Sequence, residues 1–383
     1  MIKIIIFLSY IFIFFNNNLL AEEKNNELKI GLLAPFTGEY KYLGESLLLS
    51  VQLALDEIGD KNIKIIPRDS GSNDKDKINI SIKEIIGTGA KVIIGPTDSE
   101  NFKELVKYKD TVFISLSNKN PKIEENIISI GISLESQLEA IKQFLKKQKK
   151  NKTIIIFPKN EYKNFIDEKI KKIKFQNFKI YNYDSDPKIL TGEIEKITNY
   201  SQRKRNLELR KQLLQDRDDA ASKRELDLLE QRYTLGNVNF DSIVIIDFGS
   251  SLKSVLTSLI FSDVSDEEIL FSTVNQWFDE SIFYENSVKN LYYPSVNLKN
   301  YNRYKNQYKS NFNREAGELG ILAYDALGLI YYVWKKNGKI ESVNDFSFKG
   351  KIKGKIGTFS FDNKKIIQNL NIYKAENKKF TKF

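Results

Sequence analysis

The sequence predicts an α/β protein with two lobes in series. Each lobe is a mainly parallel sheet flanked by helices, and a charged helical insert sits in the second. Three patterns predict this. Short apolar strands alternate with amphipathic helices from Leu28 onward, a second set of the same kind starts after Gly131, and Ser201 to Arg232 leaves the rhythm entirely. Strands separated by helices imply crossover connections and a parallel sheet covered on both faces.

In the first set, "LKIGLLAPF" reads as a strand and "GESLLLSVQLALDEIG" as an amphipathic helix. "NIKIIPRDS" is the next strand and "DKDKINISIKEIIGTG" the next helix. "KVIIGP" and "TVFISLS" are two more strands, with a helix expected over Asn101 to Tyr108 between them. In the second set Ser133 is placed to cap "LESQLEAIKQFLKKQKK", whose lysine-rich last turn suits the helix dipole. "TIIIFP", "FKIYNYD", "FDSIVIIDFG" and "EEILFSTV" continue the sheet, and "EYKNFIDEKIKKI" is a helix between the first two. After Asn300 the pattern returns to helix with "NREAGELGILAYDALGLIYYVWKK". The end alternates apolar and polar residues around Asp362-Asn363, a hairpin pattern with turn chemistry.

Ser201 to Arg232 carries nine basic and seven acidic side chains and almost no β-branched residue. It is expected to form one helix, or two joined near Asp216 to Ala221, with Leu207, Leu214 and Leu228 in its apolar set. Two roles are open to it: a solvated insert that packs on its lobe, or an arm that docks a partner.

Composition narrows the function. The 383 residues contain no cysteine and no histidine. Disulfides, thiolate chemistry, a lipid-bearing cysteine, Ser-His-Asp catalysis and imidazole metal sites are thereby excluded. An enzyme would have to rely on carboxylates, Lys or Tyr, and no carboxylate spacing singles out a pair, so a binding protein without cofactor or metal is expected. The N-terminus has Lys3, an apolar run from Ile4 to Phe15, and Ala21 before Glu22-Glu23. That layout predicts a signal peptide over residues 1–21 and export to the periplasm, the alternative being an uncleaved anchor. The net charge of +10 is scattered among acids, which argues against nucleic acid as a partner and allows at most a peripheral association with membrane.

The opening "KIGLLAPFTGEYKYLGESLLLSVQLALDEI" resembles the start of the type I periplasmic-binding fold, the leucine/isoleucine/valine-binding protein family. The resemblance continues through "RDSGSNDKDKINISIKEII", "GAKVIIGPTDSE", "VFISLSNKNP" and the closing "GKIGTFSFDNKK". The insert running into "YTLGNVNFDSIVIID", with "SLIFSDVSDEEILFSTVNQWFDE" and "LAYDALGLIYYVW", is similar to the alphaproteobacterial penicillin-binding-protein activator branch. The resemblance implies a two-lobed fold, with lobe 1 at 27–131 plus 295–338 and lobe 2 at 132–294 plus 339–383. The insert then occupies 195–235. It also implies a small-molecule ligand in the inter-lobe cleft. The larger partner would be a penicillin-binding protein, for a regulator of peptidoglycan synthesis, or an ABC permease, for the solute-binding component of an importer of amino acids or related small amides. The best-known activators are lipoproteins, and this chain departs from them in having no cysteine.

In open α/β sheets ligands bind at the carboxyl ends of the strands. Thr97 and Ser99, after "VIIGP", would offer hydroxyls and helix-start N–H groups to an anion, against the charge of Asp98. Ser115, Ser117 and Asn118 end the next strand, and Tyr42 in the first loop would supply an aromatic wall. In the second lobe Tyr162, Phe248 and Ser250 match the family's contact positions. Asn275 and Gln276 stand where amino-acid binders carry an acid for the ligand's ammonium. A neutral amide leaves such a buried charge unpaired, which speaks against a free α-amino acid; Asp247 and Asp279 are the acids near enough in sequence to substitute.

Overall fold

The structure, a computed structural model, describes residues 27–71, 74–97, 100–118, 125–274, 289–347, 350–362, 365–376 and 379–383. The expected signal peptide lies outside the described residues. The chain divides into two compact units. Unit 1 holds the chain up to Leu116, a short return ending at Ile128, and Asn311–Phe348. Unit 2 holds the excursion that starts at Ser117, then Ser129–Ser310 and Lys349–Phe383.

Unit 1 begins with β1 (Leu28–Ala34), α1 (Lys41–Ile58), β2 (Ile63–Asp69), α2 (Lys75–Gly87) and β3 (Val92–Ile94). It continues with α3 (Phe102–Leu105), β4 (Val112–Ser115) and β5 (Ile127–Ser129), which ends at the unit boundary. The strands lie in the order β5-β4-β3-β1-β2, and β1 pairs in parallel with both β2 and β3. Central β1 is covered on both faces, so Ile30, Leu32 and Leu33 are all fully buried. Asp74 caps α2 by accepting from the main-chain N–H groups of Asp76 and Lys77.

Two elements of unit 1 differ from expectation. The helix expected over Asn101 to Tyr108 is a single turn, α3. The Asn126 amide ends it by donating to the Leu105 carbonyl at 2.9 Å and the Tyr108 carbonyl at 3.0 Å. The three-residue β5 had no signal of its own; it is fixed from across the ladder, where Phe113 N donates to Asn126 O at 2.9 Å.

Unit 2 contains α4 (Leu134–Lys147), β6 (Thr153–Pro158), α5 (Lys163–Ile173), β7 (Phe178–Tyr183) and α6 (Pro187–Thr198). The insert follows as α7 (Tyr200–Gln215) and α8 (Ala220–Glu230), then β8 (Ser242–Ile245), α9 (Gly249–Phe261), β9 (Leu270–Thr273), β10 (Leu291–Ser295) and α10 (Leu298–Phe312). As expected, Ser133 caps α4, its hydroxyl accepting from Ser136 N at 3.2 Å. The chain returns to unit 1 for α11 (Gly320–Asn337), which packs on α1 and β3. There Gly317 N donates to Ser46 Oγ at 2.7 Å and Tyr331 donates to Asp60 at 3.2 Å. Trp334 on this helix is buried, as a core aromatic should be.

The last stretch of unit 2 is β11 (Lys351–Lys353), β12 (Thr358–Asp362), β13 (Lys365–Asn369), β14 (Asn371–Glu376) and β15 (Lys379–Lys382). The expected hairpin is β12–β13, with Asp362 opposite Lys365. The large sheet of unit 2 has the order β15-β14-β10-β9-β8-β6-β7, parallel from β10 to β7 and antiparallel beyond. Proline-containing β10 was not legible as a strand. Its pairing with β9 stops at Tyr292, so Pro294 lacks an N–H only where no ladder bond to β9 is needed.

The unit boundaries differ from the expected lobes in that Ser117–Lys122 and 129–131 fall to unit 2, and at two further places. Residues 295–310 belong to unit 2, because Asn297 N bonds Ile356 O at 2.8 Å and Leu298 N bonds the Tyr373 hydroxyl at 3.0 Å. Residues 339–348 stay with unit 1. There the 3-10 turn Val343–Phe346, closed by a Ser342–Asp345 capping box, follows α11, and Asn337 donates to Asp345 O at 3.3 Å.

The insert is two helices with the break at residues 216–219. Leu207, Leu214 and Leu229 form its own small core. Leu228, expected inside, is 65 % exposed, while Leu229 is 5 % exposed. The helix phase of α8 is thus one residue off the expected one.

Candidate functional site

At the carboxyl ends of β6, β8 and β9, within unit 2, the structure encloses a cavity of about 350 Å³. Its floor is apolar: Ile132, Ile166, Ile246 and Val274 are buried there. Leu134, Phe165 and Pro158 complete the walls. The rim carries Asn118, Asn160, Tyr162 and Phe248, all exposed. The volume and the mixture of apolar wall with a few polar groups are those of a small-molecule site.

Local chemistry positions the rim. Asn160 Oδ1 accepts from Tyr162 N at 3.0 Å, an Asx turn that starts α5 and holds the tyrosine at the mouth. Lys159 N donates to Tyr183 O at 2.8 Å, which continues the β6–β7 ladder past Pro158. Phe248 is the extended residue before α9, and its N–H donates to Asp247 Oδ1 at 2.8 Å.

Asp247 is the carboxylate of the described lining, and it is 7 % exposed. Its other oxygen accepts from the Tyr183 and Ser251 hydroxyls. Burial pushes the Tyr183 hydroxyl far above its ordinary value, and the Asp247 charge pushes it further, so the tyrosine remains a donor. The carboxylate therefore accepts three hydrogen bonds, from the end of β7, the first turn of α9 and the main chain of Phe248. What the cavity offers a ligand is apolar wall together with the side-chain amides of Asn118, Gln137 and Asn160 and the Tyr162 hydroxyl.

Of the residues singled out in the sequence, Asn118, Tyr162, Asp247 and Phe248 line this cavity. Ser250 is exposed in the first turn of α9, where its carbonyl accepts from Ser254 at 3.1 Å. Ser117 is buried, and its carbonyl accepts from the Ser129 hydroxyl at 2.7 Å. Tyr42, Thr97 and Ser115 belong to unit 1. Tyr42 is exposed and donates to Glu315 O at 2.9 Å. Ser115 is fully buried, and its hydroxyl turns inward to Pro96 O at 3.3 Å. Thr97 is half-buried in a bend. Among the described residues no helix starts beside it: α3 begins five residues later and is one turn long. Gly95 explains the shape of that turn. Its φ is 112°, and a Cβ there would collide with the Leu33 carbonyl oxygen. Ser99, Asn275, Gln276 and Asp279 lie outside the described residues.

Sequence reasoning missed the apolar wall from Ile132, Leu134, Phe165, Ile246 and Val274, and it missed Gln137. Its signal was the amphipathic phase of α4 and α5, whose first turns lie beside the strand ends.

Residues 27–172 match the family model described as periplasmic binding protein. The chain is similar to the C-domain of LpoA (YraM) from Haemophilus influenzae, described as a regulator of PBP1A. That match has 14% identity and a TM-score of 0.60, and covers 93% of this chain and 99% of that one. The fold is that of the periplasmic binding proteins. Full-length LpoA is matched over 60% of its length, with a TM-score of 0.63 and 13% identity. A putative branched-chain amino acid ABC transporter protein from Rhodospirillum rubrum gives a TM-score of 0.69 at 11% identity, covering 93% of this chain and 100% of that one. LivJ from Streptococcus pneumoniae, in complex with isoleucine, gives 0.53 at 15% identity over 93% and 100%. No curated protein sequence matches the chain.

Proposed function

We propose that this chain is an exported, non-enzymatic binding protein of the periplasm that regulates peptidoglycan synthesis by holding a penicillin-binding protein through its helical insert. The observation that carries the reading is the build of α7 and α8. The insert is pinned at one end and exposes three leucines among its charged side chains. Arg203, 7 % exposed, donates to Gly236 O and Ser262 O at 3.1 Å and to Asp263 O at 2.7 Å. It also bonds Thr234 Oγ1 at 2.7 Å. Arg210 grips Glu225 with two 2.8 Å bonds, fixing one helix to the other. Outward from this frame stand Leu209 and Leu213, one turn apart on α7, and Leu228 on α8. Leu209 and Leu213 lie on one face of α7 and make a contiguous apolar pair, the kind of exposed patch that a partner covers. The likeness to the LpoA C-domain supports the same reading, since that protein is a regulator of PBP1A.

The test is capture of a penicillin-binding protein from the same cell by the purified chain. The Leu209→Glu/Leu213→Glu variant should melt as the unaltered protein does and lose at least ten-fold in capture, the effect of removing two apolar anchors. Undiminished capture by this variant would make the insert scaffold.

The cavity favours a second reading, the solute receptor of an ABC importer. Under the regulator reading, leucine, isoleucine and valine give no more than marginal thermal stabilisation, because the neutral Asn275 and Gln276 stand where amino-acid binders carry an acid for the ligand's ammonium. A saturable rise of several degrees with one of them would establish the receptor reading instead.

A further inference from the structure

Lysines gather at one end of the unit 2 sheet. β6 starts at Thr153 and β7 at Phe178, side by side in register, and α4 and α5 finish at the same end. Lys142 Nζ on α4 donates to the Ile173 carbonyl, the last residue of α5, at 2.8 Å. The two segments that lead into the strands are therefore neighbours. One exposes Lys146, Lys147, Lys149 and Lys152; the other exposes Lys171, Lys174 and Lys179. Neither segment contains an acid.

The carboxylates nearby are already engaged. Glu139 pairs with Lys142 and Glu168 with Lys172. Asp241 accepts the main-chain N–H groups of Asn151 at 2.7 Å and Lys152 at 3.1 Å. Among the described residues no ion pair neutralises the seven lysines just named. Two of them also stand against backbone preference. Lys149 has φ 57° and Lys174 has φ 54°, the left-handed conformation in which a glycine usually ends a helix. The fold thus keeps positive charge at positions where glycine would relieve both strain and repulsion.

We propose that this lysine end of unit 2 is a docking surface for an anionic phospholipid bilayer. The chemistry selects that partner. From Lys146 to Lys179 there is no arginine, the residue suited to bidentate phosphate recognition in nucleic acid. Phe144 and Phe175 are buried and Phe178 half-buried, and Phe383, half exposed, is edge-packed on Phe144, so there is no row of free rings on which successive bases could stack. Hydrated point charges on flexible stems match a diffuse plane of headgroups. Phe383, packed on Phe144, is the exposed large apolar side chain beside them among the described residues, and one ring adds little to seven charges, so the attachment is electrostatic in the main, reversible and sensitive to salt. Because β6 runs from Thr153 to Pro158, the docking end is opposite the cavity mouth, and a bilayer bound there leaves the cavity accessible.

The experiment is co-sedimentation of the purified protein with vesicles of phosphatidylcholine, with and without phosphatidylglycerol. The unaltered protein should bind only the phosphatidylglycerol vesicles, and lose most of that binding between about 50 and about 300 mM NaCl. The Lys149→Gly/Lys174→Gly variant should lose roughly thirty-fold in partitioning, two lysines' worth at an anionic surface, with a melting temperature unchanged or raised. That variant cannot lose binding by unfolding if it melts later. Neutralising five lysines of unit 1 instead, Lys61, Lys83, Lys91, Lys103 and Lys109 to Gln, should leave partitioning within about two-fold. Equal losses in the two variants would reduce the effect to net charge and overturn the proposal. So would binding to pure phosphatidylcholine, absence of binding to either vesicle, or tighter and equally variant-sensitive binding of a short DNA duplex.

Discussion

Asp69 ends β2 and gathers the loop that leaves β1. Its carboxylate accepts from Phe36 N at 2.8 Å, from the Thr37 hydroxyl at 2.6 Å and from Gly71 N at 2.9 Å, and it pairs with Lys77. Burial acts to raise its pKa, but the bonds from Lys77, Thr37, Gly71 and Phe36 together outweigh burial and hold the carboxyl well below the usual range. A carboxyl depressed in the folded state contributes stability that is complete above its unfolded value, about 3.9, and is lost as pH falls below it. Asp69→Asn should therefore lower unfolding free energy at pH 7 by about 1–3 kcal/mol. By pH 3 the gap from the unaltered protein should have narrowed. Urea midpoints at the two pH values measure this, and a gap that stays constant would mean that the charge itself contributes nothing. The same scale shows why the site was only partly legible. An acid closing "IVIID" could be read from the sequence, but its use by Tyr183, 64 residues earlier, could not. Ser115 and Ser117 have residue types as suitable for a ligand as Asn118, and it is burial of the whole stretch 111–117, in and just past a strand covered on both faces, that takes them away.

At the scale of elements, long periodic segments were legible and short ones were not. β1, α1, β6 and the β12–β13 hairpin carry their own pattern, whereas three-residue β5 and proline-bearing β10 take their structure from neighbours. The insert falls between. Its composition revealed helix, as one rod or as two with the break near 216–221, while adjacent leucines at 228 and 229 left the inward face of α8 ambiguous. Its private core makes a local prediction. Leu229 packs with Leu207 and Leu214, and Leu229→Ala should cost about 2–4 kcal/mol, confined to the insert. Hydrogen exchange should accelerate across residues 200–232 and leave β6 and β8 unchanged, since the insert opens as its own cooperative segment. Leu228→Ala, on the exposed side, should leave exchange as it was. If the two variants behave alike, the assigned face is wrong.

For the whole molecule, the question is whether two cores make two cooperative units. The chain passes between the units at Ile128–Ser129, Ser310–Asn311 and Phe348–Lys349, besides the short excursion at 117–122, so neither unit is one continuous stretch. Yet each has its own buried cluster. Leu33, Ile82, Ile93 and Phe113 belong to one, and Ile156, Ile243, Leu256 and Phe271 to another. Side chains in separate clusters with no shared neighbour should act independently, and each large-to-small change should cost its own unit about 2–5 kcal/mol. Ile82→Ala should then speed amide exchange in β1, β3 and β4 while β6 and β8 keep their protection. Leu256→Ala should do the reverse. Such a split would mean that stability in each unit is set locally even though the chain crosses between them repeatedly, as multi-domain unfolding allows. Should either variant release both sets of amides together, the crossing segments couple the cores into one cooperative unit. The melting temperature of the protein would then report on neither core alone.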